Sequence, residues 1–278
     1  VSVIDSETNE LITDIPVGDS PFGVAVEPSL ARVYVTNSDA DTVSVIDAVT
    51  NNVVAVIPVG NVPAGVTVDP SRARAYVANQ ADNTLSVINT ETNTEVLPRI
   101  SVGNSPVGVA ADPSRARVDV VNSSLGTVTV VNTAAGVVTA TIPLGESPRG
   151  VAVDPTRART YVTDLFGSTM AVIDTNTNTV VATVHVGSFP TSVAVDPTRA
   201  RAYVSSSDRV SVIDTATNTL VADIPLAATP QEVTVDPSRS RAYLTHRFDN
   251  AVSVLDTETN TIIATVPVGE RAIGIAVG

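Results

Sequence analysis

The chain has 278 residues, 43% of them apolar but only 3% aromatic, with four Phe, five Tyr and no Trp. Its sixteen basic residues are all Arg, and against twenty-nine acids they leave a net charge of −13, the reverse of the basic footprint of a nucleic-acid binder. Zero cysteines exclude disulfides, thiolate metal sites and a Cys nucleophile, and no run of eighteen apolar residues offers a membrane-spanning helix.

The chain opens on two short β-branched runs, Val1–Ile4 and Leu11–Ile15. A complete unit of four runs follows: Val24–Val26, Val33–Thr36, Val43–Ile46 and Val53–Ile57. That unit recurs. The turn dipeptide Glu27-Pro28 returns at Asp69, Asp112, Asp154, Asp196 and Asp236, at intervals of 42, 43, 42, 42 and 40 residues. The motif VSVID recurs as LSVIN, VTVVN, MAVID, VSVID and VSVLD, and a last run, Ile275–Val277, closes the chain. Asp-Pro-Ser-Arg and Asp-Thr-x-Thr-Asn-Thr form turns, because Pro fixes φ and Asp, Asn and Thr bond nearby backbone. The runs are too short and Val-rich for helices. Being apolar on both faces, they suit strands sandwiched between neighbouring sheets.

Four strands in about 40–45 residues, repeated around a ring, describe a β-propeller. An open solenoid of the same period would need polar end caps, and neither end carries one. The expected fold is therefore all-β, one domain over 1–278: a seven-bladed propeller of four-stranded antiparallel blades. Its N- and C-terminal strands would share one blade, which lacks its second strand. That absence leaves a gap of about twice the ~4.8 Å strand spacing. Either the native chain continues past one end, or a partner strand fills the gap. Neither a signal peptide nor a targeting tail is visible.

The second-strand strings are Tyr34-Val35-Thr36-Asn37, Tyr76-Val77-Ala78-Asn79, Tyr161-Val162-Thr163-Asp164, Tyr203-Val204-Ser205-Ser206 and Tyr243-Leu244-Thr245-His246. Through them the whole chain resembles the YVTN-repeat β-propellers of archaeal surface layers and bacterial periplasmic or secreted proteins. The resemblance implies a first strand lining the channel, a fourth strand at the rim, and an extracellular, cell-surface or periplasmic location. The third copy departs with Asp119 in place of Tyr, which should weaken that core locally.

Repeated positions serve the fold, so departures mark candidate function. The turn arginines, such as Arg72, Arg115 and Arg157, repeat beside acids and read as a solvated ion-pair belt. On the opposite face, the loops between second and third strands and between blades vary. They hold all four Phe (Phe22, Phe166, Phe189, Phe248) together with Arg149, Arg209, Arg247 and Arg271. Exposed aromatics and arginines on a rigid scaffold suit binding. In the last blade the usual glycine becomes Glu232, preceded by Gln231, and the second strand ends at His246 and Arg247 instead of Asn. Hairpin pairing should gather Glu232, His246 and Arg247 at the channel mouth, with Arg149, Asp164, Thr191 and Ser192 adjoining. A carboxylate beside a His can serve acid–base chemistry; an ordinary polar cluster around a water-filled channel is the plainer alternative.

With one mouth His and one rim His (His185), no multi-His metal site is expected, and no motif implies a cofactor. Two functions stay open. One is a monomeric binding scaffold whose variable-loop face takes a protein, peptide, glycan or small-molecule ligand. The other, implied by propellers of similar repeat, is a lyase, lactonase or isomerase with Glu232 and His246 as its acid–base pair. Nucleic-acid binding is disfavoured, because the variable loops are mostly acidic.

Overall fold

Val-rich runs alternating with Asp-Pro and Asn-Thr turns give twenty-six strands in the computed structural model, which describes residues 1–278. Two strands, β1 (Ser2–Asp5) and β2 (Glu10–Asp14), pair only with each other. The rest form six four-stranded blades, each an antiparallel meander in chain order. Blade 1 holds β3 (Pro21–Glu27), β4 (Arg32–Asn37), β5 (Thr42–Asp47) and β6 (Asn52–Pro58). Blade 2 holds β7 (Pro63–Asp69), β8 (Arg74–Asn79), β9 (Thr84–Asn89) and β10 (Thr94–Ser101). Blade 3 holds β11 (Pro106–Asp112), β12 (Arg117–Asn122), β13 (Thr127–Asn132) and β14 (Val137–Pro143). Blade 4 holds β15 (Pro148–Asp154), β16 (Arg159–Asp164), β17 (Thr169–Asp174) and β18 (Thr179–His185). Blade 5 holds β19 (Ser192–Asp196), β20 (Arg201–Ser206), β21 (Arg209–Asp214) and β22 (Thr219–Pro225). Blade 6 holds β23 (Glu232–Asp236), β24 (Arg241–His246), β25 (Ala251–Asp256) and β26 (Thr261–Pro267).

The tight turn after each third strand shows why its residues recur. Asp47 Oδ1 accepts the backbone N–H groups of Val49 and Thr50 at 3.1 and 2.9 Å. Asn51 then enters the left-handed region at φ 56°, which Asn tolerates better than most residues. The same position is Asn in every copy except blade 3, where Gly136 takes it at φ 68°.

No blade has a core of its own. Tyr34, Val45 and Ile57 of blade 1 pack against Val66, Val77 and Ile88 of blade 2, and four further clusters likewise span two blades, while those at the outer faces of blades 6 and 1 pack against the terminal runs instead. Burial of both faces therefore depends on neighbours, as in other repeat architectures. The innermost strands approach so closely that a β-carbon at Gly23 would stand 2.6 Å from the Ala64 carbonyl oxygen of the next blade.

Three expectations are corrected. The structure has six blades, not seven. Strands from the two termini do not share a blade: β1 and β2 make a two-stranded sheet, and residues 272–278 form no strand and no backbone–backbone hydrogen bond. The missing second strand is the physical reason, since a first and a third strand two spacings apart cannot hydrogen-bond to each other. Nor are the turn arginines a solvated belt. Asp69, Asp112, Asp154 and Asp196 are buried, and Arg72, Arg115 and Arg157 each bridge such an acid to a proline carbonyl of the following blade (Pro113, Pro155 and Pro197) at 3.0–3.1 Å.

Candidate site at the channel mouth

Starts of the innermost strands converge on the axis and line a mouth of about 420 Å³. Val24, Val66, Val109, Val151, Val193 and Val233 supply apolar walls. Gln80, Ser123, Ser147, Thr191, Ser192 and Gln231 supply polar groups, and Ile273 of the C-terminal segment completes the ring. Arg149 and Glu232 are its only ionisable residues.

Each polar group is placed by the fold. Gln231 donates its backbone N–H to the Thr245 carbonyl at 2.7 Å, and its own carbonyl accepts the Thr191 hydroxyl at 2.7 Å. Ser192 is buried, and its hydroxyl faces the Val233 N–H at 3.4 Å. Glu232 pairs with Thr245 across β23 and β24, and its N–H donates to the Thr245 hydroxyl at 3.1 Å. Burial pushes the Glu232 carboxyl up to about 8; the Ile275 N–H and the Arg149 charge oppose that rise without cancelling it. Arg149 forms no ion pair, and its pKa is lowered by burial first and by the nearby Arg247 charge second. At neutral pH the mouth therefore carries one cation beside a mostly protonated acid.

Glu232 and His246 are not brought together. His246 is the neighbour of Thr245 along β24, so the pleat turns it to the opposite face. It is 2% exposed, and its Nε2 lies 2.7 Å from the Ser253 hydroxyl. Asn37, Asn79 and Asn122 use the equivalent slot, with Asn37 and Asn79 donating to Ser44 and Ser86. Burial lowers the His246 pKa. Asp164 likewise turns to the scaffold, accepting the Ser147 and Gly167 N–H groups at 3.2 Å.

Three of the four phenylalanines are exposed on the variable-loop face. Phe166 and Phe189 meet edge to face with centroids 6.4 Å apart, and Phe248 carries the Arg247 guanidinium 5.8 Å from its ring centre. Phe22 lines the mouth. Sequence reasoning missed Gln80, Ser123, Ser147, Leu165 and Ile273. Aligning Ile273 with Phe22 and Arg149 in the repeat would have found it; the loop residues carry no repeating signal.

Fold and site together define a β-propeller with a polar channel mouth. Hydrazine synthase of Kuenenia stuttgartiensis resembles it with a TM-score of 0.83 and 22% identity, over 92% of this chain and 89% of that one. A functionally unknown protein from Desulfotomaculum acetoxidans DSM 771 superposes with a TM-score of 0.88 and 19% identity, over 99% of this chain and 94% of that one. At these identities the likeness shows the β-propeller fold alone. No protein-family model and no curated protein matches the chain.

Proposed function

We propose that the protein is a binding scaffold that captures a small anionic ligand with an apolar or aromatic body at the channel mouth. The observation that carries this reading is Arg149, unpaired inside a mouth whose one acid, Glu232, is held protonated by burial. An anion would supply the partner that Arg149 lacks, and neutral Glu232 can donate a second hydrogen bond. The exposed Phe166–Phe189 pair and Phe248 offer flat aromatic surfaces on the variable-loop face. The repeat's resemblance to YVTN propellers supports a place outside the cytoplasm.

Calorimetric titration with benzoate and phenyl phosphate tests this. Arg149→Met should weaken binding about tenfold or more, as loss of one charge-assisted bond implies. Affinity should fall as pH rises through 8, because ionised Glu232 then neutralises Arg149, and Glu232→Gln should flatten that decline. Equal binding of benzamide and benzoate, unchanged by Arg149→Met, would refute the proposal. One observation favours a second reading: Glu232 is an acid poised near neutral pH, suited to general-acid chemistry. With His246 bonded to Ser253, that chemistry would need a base from the substrate or water. Turnover abolished by Glu232→Gln but untouched by His246→Asn is its signature.

A further inference from the structure

Every arginine of the chain but three bonds an acid or a backbone carbonyl within it. The exceptions are Arg149, Arg247 and Arg271. Arg271 is exposed, where water serves its donors, whereas Arg149 and Arg247 are partly buried. An unpaired, half-buried guanidinium is unfavourable, yet a chain with twenty-nine acids places none within ion-pair reach of either. Arg247 also falls at a telling position in the repeat. It follows the last residue of β24, as Gln80, Ser123 and Leu165 follow β8, β12 and β16, and those three line the channel mouth. That position sets Arg247 at the rim of the mouth, on the side of blade 6. Its Nε is buried without a hydrogen-bond partner, and its guanidinium carbon lies 5.8 Å from the Phe248 ring centre. The ring steadies the cation without occupying its N–H groups or cancelling its charge. The two guanidiniums also feel each other, since the charge of Arg247 acts on Arg149 more strongly than that of Glu232 does. Two like charges directed at one mouth, with no acid to pair them, favour a ligand that carries more than one negative charge.

We propose that the mouth binds a phosphate monoester, with its dianionic head held between Arg149 and Arg247 and its organic body against the valine walls. This rests on the anion-binding reading of Arg149 and names the ligand class. A phosphoryl group suits the site better than a carboxylate on two counts. It carries a charge of about −2 at neutral pH on one compact group, which matches two cations at a mouth of about 420 Å³. It also offers three acceptor oxygens to a donor-rich set. That set comprises the two guanidiniums, the Glu232 carboxyl that burial keeps mostly protonated, and the Gln231 amide, which makes no side-chain bond within the chain. A phosphodiester polymer matches the set poorly, with one charge on each phosphate, and the net charge of −13 opposes a polyanion.

Calorimetry at neutral pH compares phenyl phosphate with benzenesulfonate, which has the same ring and a tetrahedral head but a single charge. Phenyl phosphate should bind about tenfold more tightly. Arg247→Gln should erase that preference, weakening phenyl phosphate about tenfold and benzenesulfonate by less than about threefold. The unfolding temperature should not change, because the guanidinium hydrogen-bonds to nothing in the chain. Arg247→Lys should keep most of the preference, since charge carries it. Equal binding of the two ligands, an Arg247→Gln variant that weakens both alike, or inorganic phosphate bound as tightly as phenyl phosphate would overturn the proposal. Tighter binding of phthalate than of phenyl phosphate would overturn it in favour of a dicarboxylate. If Arg149→Met weakens both ligands while Arg247→Gln affects neither, this proposal falls and the anion-binding reading stands. Binding of neither ligand would overturn both.

Discussion

Position 119 shows how one residue exchange spreads through its neighbours. In blades 1, 2, 4 and 5 a fully buried Tyr fills the space before the next blade, and Tyr34 donates to the Thr90 carbonyl beyond it. Asp119 cannot fill that space. Arg117 instead folds inward to bond Asp119 at 2.7 Å, then reaches the Thr175 carbonyl and Asn178, the counterparts of Tyr34's partners. Thr160 of the next blade, at a position otherwise held by Ala or Val, donates to the other Asp119 oxygen at 2.6 Å. Asn132 stands where Asp174 and Asp214 receive Arg159 and Arg201, so the acid has moved from the surface to the core. Burial raises the Asp119 pKa against the pull of Arg117, so the pair gains little over an apolar filling. Asp119→Ala should cost about 3–5 kcal/mol by stranding Arg117. The triple change Asp119→Tyr, Asn132→Asp, Thr160→Ala reproduces the blade 4 arrangement and should restore the parent midpoint in urea unfolding; a triple variant no better than the single one would contradict this account. His246 gives a pH-dependent counterpart. Its folded pKa is lowered, so the stability it contributes is present above the unfolded value near 6.5 and declines as pH falls below it. His246→Asn should flatten the loss of stability between about pH 7 and 5.

Between blades, the Asp-Pro turns act as clamps. The geometry repeats from Asp69 to Asp196: the carboxylate is buried, the arginine three residues on binds it, and the same guanidinium reaches a proline carbonyl across the junction. A planar guanidinium can serve two acceptors at once, which a lysine ammonium does less well, and the clamp arginines are only about 30% exposed. Arg157→Ala should destabilise by about 1–2 kcal/mol, and Arg157→Lys should recover less than half of that. Blade 1 provides the converse. Leu30 stands where Arg72 stands in blade 2 and is 40% exposed, so the first junction has no clamp. Leu30→Arg should raise stability by about 1 kcal/mol in the same unfolding assay. A null result there would mean that the ion pair and the cross-blade bond together add nothing at that junction.

At the scale of the ring, the strands and their order were legible in the sequence because each blade repeats its turn chemistry. Asp-Pro before the Arg turn and Asn at the left-handed position fix every hairpin. The missing second strand was legible from the repeat, but blade count was misjudged, because it depends on whether two distant termini can share a sheet across that gap, which no local pattern decides. At the mouth, Arg149, Gln231, Ser192 and Glu232 were legible as departures from repeated positions, whereas the direction of His246 was hidden by the pleat of β24. The same geometry decides how the ring comes apart. Blades 2 to 5 each pack a neighbouring blade on both faces, but β1, β2 and segment 272–278 join blade 6 to blade 1 through few bonds, among them the Thr245–Ile273 hydrogen bond, the Gly269 N–H to Ser2 at 3.1 Å, Arg241 to the Ser6 carbonyl and to Asn9, and the Arg239–Glu7 pair. Local opening follows the density of buried contacts and paired backbone. Amide exchange should therefore be fastest over residues 1–14 and 272–278 and slowest in β12, β16 and β20, the central strands of blades 3, 4 and 5. If the terminal residues exchange as slowly as β16, the junction is as cooperative as the intact blades and the ring has no preferred point of opening.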